Sequence, residues 1–189
     1  MIKRKIIARV RKDIPSYYYH YSKESRFLAV YYKDIWFDGG FSTDCRLSDK
    51  SEFYKAAGLF VKFINEIIEK NEETIVYIGT FVKEIKNYEH WVNLMEYDCF
   101  VNFAEHISND DIKKLHIPKD KVLIDYLVEN GMRYLTNTAL YLPNSKIVIK
   151  PDCHTHLEIF CSDCDNFIKK MSYLFYLDDY KFLELKDVK

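Results

Sequence analysis

The chain has 189 residues, of which 48% are hydrophobic, and 28 Lys and Arg balance 29 Asp and Glu to a formal net charge of −1. This length and hydrophobic content are typical of one folded domain with its own core, so we expect a single domain over residues 1–189. The balanced charge gives no general attraction to nucleic acid or to an anionic membrane and argues against both as partners.

The cysteines and the basic first segment indicate the cellular compartment of the protein. Five cysteines, an odd number without a regular framework, are typical of reduced thiols in a cytosol. The opening MIKRKIIARVRK lacks the long apolar core and the cleavage site of a signal peptide. No apolar run reaches the roughly 18 residues that span a bilayer. We therefore expect a soluble, cytoplasmic protein without a membrane partner.

The first forty residues predict an antiparallel meander. Residues 3–12 alternate loosely between apolar and basic, which indicates a strand with a basic outer face. Residues 17–21 and 26–37 predict two further strands, and the glycines after Asp38 indicate a turn. The basic and tyrosine side chains of this segment are of the type that contacts RNA. Lys and Arg that protect a solvated edge strand from pairing account for the same residues without a ligand, so we do not expect nucleic acid as a partner.

A long amphipathic helix is predicted at about 50–70. Its apolar residues recur at spacings of three and four and form one wide stripe: Phe53, Ala57, Phe60, Ile64, Ile67 and Ile68. Gly58 lies in the middle of this helix and costs about 1 kcal/mol relative to Ala, so we expect close packing at that position.

The rest of the chain predicts strands and helices that come in blocks rather than in strict alternation. A buried strand is expected at 74–81, a helix in the first half of 82–107, a short helix at 109–115, and a helix from Pro118 that stops at Gly131. A hairpin of 133–142 with 146–150, a strand at 154–160, a helix beginning near Asp163 and an edge strand at 180–185 follow. The predicted class is α+β, with a largely antiparallel sheet on which the long helix and a C-terminal helix pack.

The richest group of candidate ligands lies in the strand at 154–160. Alternation puts His154, His156, Glu158 and Phe160 on one face, with Leu157, Ile159 and Cys161 on the other. Histidines two apart on a strand, with a carboxylate, have ligand types that suit a divalent metal. The simpler interpretation is a polar, solvated face opposite an apolar core face, with no cofactor.

The stretch Cys153–Cys164 also contains the ligand types of a tetrahedral zinc site. Cys153, His156, Cys161 and Cys164 would be the four ligands, since Cys161-x-x-Cys164 has the usual pair spacing. However, an extended strand at about 3.3 Å per residue keeps the two pairs apart. Cys161 as a small core residue and Cys164 as a helix-start residue is the simpler interpretation.

Standard catalytic signatures are missing from the sequence. It contains no Gly-x-Ser-x-Gly and no glycine-rich phosphate loop. His20-Tyr21-Ser22 and His154-Thr155-His156 resemble the paired His-x-Ser/Thr signature of two-histidine phosphoesterases, although the second copy has histidine in place of the hydroxyl residue. The resemblance implies acid and base roles for strand histidines, so the alternative function is a metal-assisted or acid/base hydrolase using His20, His154, His156 and Glu158.

In size, element order and composition the chain resembles the immunity proteins that bacteria encode beside polymorphic or contact-dependent toxins. The closing strand and helix HLEIFCSDCDNFIKKMSYLF and the richness in Lys and Tyr support this resemblance, without a diagnostic motif. It implies a non-enzymatic protein whose partner is a cognate toxin domain. Acidic and aromatic residues suited to such a contact are Trp91, Tyr97, Asp98, Glu105, Asp110 and Asp111.

Overall fold

The fold is built on an antiparallel sheet that has helices on both faces. The computed structural model describes residues 2–18, 26–32, 50–70, 75–77, 80–81, 116–117, 121–132, 136–152 and 156–188. The strands are β1 (Phe27–Tyr32), β2 (Ile75–Tyr77), β3 (Thr80–Phe81), β4 (His116–Ile117), β5 (Thr136–Asn137), β6 (Leu140–Leu142), β7 (Ile147–Asp152), β8 (His156–Cys161) and β9 (Leu183–Val188). The helices are α1 (Ile2–Asp13), α2 (Pro15–Tyr18), α3 (Lys50–Lys70), α4 (Lys121–Met132) and α5 (Cys164–Met171), followed by 3₁₀ turns at Ser172–Tyr176 and Asp178–Tyr180.

Within the described residues, seven strands form one sheet in the order β4-β2-β6-β7-β8-β1-β9, and β3 pairs with β5. Every described pair is antiparallel. The predicted α+β class with a largely antiparallel sheet is therefore confirmed. Strand β8 lies between β7 and β1, so its side chains are in the interior of the sheet.

One face of the sheet carries the main core. Helices α3, α4 and α5 contribute side chains to it, and Phe60 and Ile64 of α3 are fully buried. The predicted helix at about 50–70 is confirmed by α3, and the C-terminal helix packs on the same face through Phe167 and Met171. The expectation of close packing at Gly58 is wrong: this residue is exposed, and no described atom lies within 4 Å of the position that a Cβ would occupy.

The other face is covered by α1 and α2, where the sequence predicted strands. Val10 and Ile14 are four residues apart and point together into a second cluster that contains Phe160 of β8. The predicted strand at 3–12 is wrong because this short segment fits both periods. Lys5, Arg9, Arg11 and Lys12 are exposed on a helix, and Arg9 pairs with Asp13 at 3.4 Å, one turn later. The described part of the predicted second strand is helical as well.

The remaining elements are of the predicted type, but some of their bounds differ from the prediction. Gly131 was expected to stop a helix, but it lies buried in the last turn of α4 against Pro151 of β7. The hairpin of β6 and β7 and the edge strand β9 are confirmed, and the predicted third strand ends within the described residues at Tyr32. The helices predicted in 82–107 and 109–115 lie outside the described residues. Among the helices that the structure describes, none combines the length and apolar character that crossing a membrane requires.

Candidate functional site

Three neighbouring strands bring polar side chains together on the face that α1 and α2 cover. The register pairs Asp152 with His156 and His156 with Tyr31, and it pairs Lys150 with Glu158 one step further along. Because cross-strand partners point to the same side of a sheet, these five residues lie side by side. We call them the polar cluster.

The ammonium of Lys150 lies between the two carboxylates of the polar cluster. Its Nζ is 2.6 Å from Glu158 Oε2 and 3.6 Å from Asp152 Oδ2. The imidazole of His156 is more distant, with Nδ1 4.0 Å from Asp152 Oδ1 and Nε2 4.0 Å from Glu158 Oε1. The close charge pair is therefore that of Lys150 and Glu158, a charge-assisted hydrogen bond.

His156 and Glu158 of the polar cluster are buried, while Tyr31, Lys150 and Asp152 are partly buried, so the expectation of a solvated face is wrong. Glu158 is 6% exposed and His156 is 3% exposed. The ring of Tyr31 lies 4.9 Å from the imidazole of His156, centroid to centroid. Burial, and then the negative charges of Glu158 and Asp152, raise the pKa of Tyr31, so its phenol stays protonated at neutral pH.

This geometry does not suit the predicted metal site. Lys150 places a positive charge against Glu158, the carboxylate that was expected to bind the ion. The residues that the structure describes contain no group of three side chains able to hold a metal. His20 and His154 lie outside the described residues, so His156 and Glu158 are the described members of the predicted set.

The four-ligand zinc site is also incompatible with the sheet. Cys161 and Cys164 belong to the main core, on the face of β8 opposite His156. A single ion cannot be bound from both sides of a sheet, and Cys153 lies outside the described residues. Cys161 as a core residue and Cys164 as the first residue of α5 are confirmed.

An exposed apolar surface lies beyond α5, in the first 3₁₀ turn and at the residue that follows it. Tyr176 is 88% exposed, Leu177 is 45% exposed and Tyr173 is 41% exposed. We call these three residues the anchor surface. The carboxylates of Asp178 and Asp179 are exposed directly after it. Large apolar side chains grouped in water, with charged residues at their edge, are typical of surfaces that bind another protein.

Contacts with the core and with α3 hold the anchor surface in place. Leu174 is buried between its members, and the amide of Leu177 donates to the carbonyl of Leu174 at 3.0 Å. On one side the ammonium of Lys70 lies 4.0 Å from the ring centroid of Tyr173. On the other side Lys62 pairs with Asp179 at 2.6 Å. The anchor side chains thus project from a segment that is fixed at both ends.

Sequence reasoning placed the partner-binding residues elsewhere. Trp91, Tyr97, Asp98, Glu105, Asp110 and Asp111 all lie outside the described residues. The anchor surface was missed, although Ser172–Tyr180 has more apolar residues than one helix face can bury. Tyr176 and Leu177 fall off the stripe that Phe167, Met171 and Leu174 continue, and two aspartates follow them at once. This excess of apolar residues was the sequence feature that could have identified the anchor surface.

Comparison with known proteins adds no assignment, since no protein family, no curated protein and no solved structure matches this chain.

Proposed function

We propose that the chain is a non-enzymatic binding protein of the toxin-immunity type, which neutralises a cognate toxin by covering its active or substrate-binding surface. The observation that carries this proposal is the anchor surface, an exposed apolar group on a fixed segment. The resemblance to immunity proteins in size, in composition and in the closing strand and helix supports the same class. The cytoplasmic location expected from the thiols is part of this proposal.

The anchor surface has the properties that make a contact strong. Tyrosine combines a large apolar ring with a hydroxyl, and it loses little rotamer entropy when it is buried at an interface. Because the segment is already held by Lys62 and Lys70, the cost of ordering it on binding is small. Tyr176 and Leu177 would fill an apolar pocket of the toxin.

The aspartates after the anchor surface indicate the chemistry of the partner. Asp178 complements a cationic rim, beside Asp179, whose carboxylate pairs with Lys62, and charge of opposite sign speeds encounter and fixes orientation. A cationic rim around a pocket is expected on a toxin that acts on nucleic acid. The partner we propose is therefore a toxin domain with a basic substrate-binding face.

The test uses the toxin domain encoded beside the gene for this chain. We expect the purified domains to bind one to one in calorimetry and the chain to restore growth of cells that express the toxin. Tyr176→Ala combined with Leu177→Ala should weaken binding by about 30-fold or more, equal to about 2 kcal/mol, because hot-spot residues contribute on that scale.

Lys12→Ala is the matched control, since Lys12 is exposed on α1, on the opposite face of the sheet. It should bind like the wild type. A double variant that folds, as judged by its melting temperature, and still binds with full affinity would contradict the role of the anchor surface. Failure of the wild-type chain to bind or to protect would contradict the immunity function itself.

The alternative proposal is a metal-assisted or acid/base hydrolase using His20, His154, His156 and Glu158. It predicts one zinc or iron per chain after purification without chelator, and loss of both metal and turnover in His156→Ala. The pairing of Lys150 with Glu158 argues against it. Elemental analysis with native mass spectrometry distinguishes the two proposals.

A further inference from the structure

Two thiols meet where the central strand β8 ends and helix α5 begins. Cys161 is the last residue of β8 and Cys164 is the first residue of α5. The carboxylate of Asp163 caps the helix by accepting from the amide of Asn166 at 2.9 Å. The chain bends at Ser162, and the cap at Asp163 fixes the start of α5, so Cys161 and Cys164 both lie in the main core.

The two sulfurs lie at the same end of β8. The Sγ of Cys164 lies 3.9 Å from the carbonyl oxygen of Cys161, and the Sγ of Cys161 lies 3.9 Å from the carbonyl oxygen of Ile159. Both thiols are reduced in the structure and nearly buried in the main core, with exposures of 8% for Cys161 and 7% for Cys164. The two thiols therefore share one buried site at the junction of β8 and α5.

The surroundings favour negative charge on one of the two sulfurs. The hydrogen bond from Cys161, and then the positive charge of Arg26, lower the pKa of Cys164 to about 7 in spite of its burial. The same hydrogen bond and burial raise the pKa of Cys161. Cys164 also lies at the positive end of the α5 dipole, which stabilises a thiolate.

Arg26 is fixed at this junction. Its guanidinium bonds to Asp187 of β9 at 2.6 Å and to Asp165 of α5 at 2.7 Å. These two contacts join the start of β1, the first turn of α5 and the end of β9. The guanidinium that lowers the pKa of Cys164 is therefore held by groups that do not depend on the redox state of the thiols, although the negative charge of Asp187 partly opposes its effect.

From the placement of Cys161 and Cys164 at this capped strand-to-helix junction, we propose that they are a reversible dithiol–disulfide pair that exchanges with low-molecular-weight disulfides. The Cys164 thiolate attacks one sulfur of the small disulfide and releases one thiolate, which leaves a mixed disulfide on Cys164. The Cys161 thiol then loses its proton to solvent and attacks the Cys164 sulfur, which releases the second thiolate. Two electrons pass from the protein to the small disulfide, and each released thiolate takes up a proton.

The low exposure of both sulfurs determines the size of the reagent. Cys161 is 8% exposed and Cys164 is 7% exposed, so a small disulfide needs less movement of α5 to reach a sulfur than a folded protein disulfide does. The small disulfide is therefore the expected oxidant. This inference is independent of the immunity function.

The test incubates the full-length chain in defined mixtures of reduced and oxidised glutathione, followed by acid quenching, alkylation and peptide mass spectrometry. We expect a Cys161–Cys164 disulfide that forms in the oxidising mixture and reverts in the reducing one. The variant Cys45→Ser/Cys99→Ser/Cys153→Ser keeps only this pair and should behave in the same way. The disulfides mapped in the wild-type chain show whether the Cys161–Cys164 bond forms, even if a variant fails to fold.

Single substitutions test the assignment of the attacking sulfur. Cys161→Ser should retain glutathione on Cys164, because the second step is blocked. Cys164→Ser should form a mixed disulfide on Cys161 at least about tenfold more slowly, as expected for a thiol without thiolate character. Absence of the Cys161–Cys164 disulfide in the wild type, equal rates in the two variants, or oxidation only by a protein disulfide would each overturn the proposal.

Discussion

The two faces of β8 are both buried, but by different means. Leu157 and Ile159 point into an apolar core to which three helices contribute. On the other face, Phe160 lies in a small cluster under α1 and α2, while His156 and Glu158 sit beside it in the polar cluster. One strand therefore depends on apolar packing on one side and on a few specific contacts on the other.

This difference determines how each face responds to change. Apolar contacts are non-directional, so a large core distributes the loss of one side chain among many neighbours. A buried ion pair depends on its geometry, and removal of one partner leaves a desolvated charge. A substitution on the α1–α2 face should therefore cause local unfolding and matter at few positions. A substitution in the main core should instead lower the stability of the whole domain.

Substitution of one phenylalanine on each face provides the strongest test of this comparison. Phe60→Ala in α3 and Phe160→Ala in β8 each remove a buried ring, and each should lower the free energy of unfolding by about 4 kcal/mol. Phe160 also stacks on Phe27 and meets Tyr17 of α2 edge-on, with centroids 5.4 Å apart in both pairs. Its loss should therefore also release α1 and α2.

Limited proteolysis and chemical denaturation measure the two effects. Phe160→Ala should be cleaved first within residues 2–18 under native conditions, and Phe60→Ala should show no such preference. Early cleavage of both variants in this segment, or of neither, would contradict the local character of the second face.

The second prediction concerns the buried charge pair. Lys150→Met removes the ammonium 2.6 Å from Glu158 and should destabilise the protein by about 3 kcal/mol at neutral pH, because a nearly buried carboxylate loses its close partner. Denaturant unfolding measures the change. Lys150→Met combined with Glu158→Leu should recover most of the loss, since neither charge of the pair remains. A single variant that loses less than about 1 kcal/mol would show that water or another group solvates Glu158.

The sequence predicted the main core better than the second face for a physical reason. Helix α3 is long enough for its apolar stripe to fit only the helical period, and its bounds agree closely with the prediction. The segment that became α1 is short and basic, and both periods fit it. Helices α1 and α2 cover the face of β8 that carries His156 and Glu158, through their contact with Phe160, so an error in these helices accompanied the error about a solvated face. The anchor surface was missed because exposure depends on which residues the rest of the fold leaves uncovered.

Alkaline unfolding compares one buried tyrosine from each face. Burial is the main cause that raises the pKa of Tyr141, under α1, and of Tyr180, in the main core, to about 12 from an ordinary 10.0. In the folded protein these phenols keep protons that the unfolded chain loses, so stability is complete below pH 10 and falls as the pH rises toward 12. Unfolding measured as a function of pH should show this decline.

Phenylalanine substitutions separate the two tyrosines. Tyr180→Phe and Tyr141→Phe should each flatten the alkaline decline, although Tyr141→Phe also loses the hydrogen bond that its hydroxyl donates to Asp13 at 3.2 Å, a cost of about 1 kcal/mol at neutral pH. Tyr176→Phe is the control, because this side chain is exposed and its loss should leave the decline unchanged. An alkaline decline that survives in the Tyr141→Phe/Tyr180→Phe double variant would assign it to other groups.

The two glycines in the helices that the structure describes give the smallest effects, and these have opposite signs. A Cβ at Gly131 would lie 2.9 Å from Cβ of Pro151, whose ring cannot rotate away, so Gly131→Ala should destabilise the contact of α4 with β7 by about 1 to 2 kcal/mol. Gly58→Ala meets no described atom within 4 Å in an exposed position of α3, and it should stabilise the protein by about 1 kcal/mol through helix propensity. Thermal unfolding of both variants measures the difference. Stabilisation by Gly131→Ala would mean that β7 moves away from α4 at little cost. The packing of α4 on β7 would then be looser than the close approach of Gly131 to Pro151 indicates.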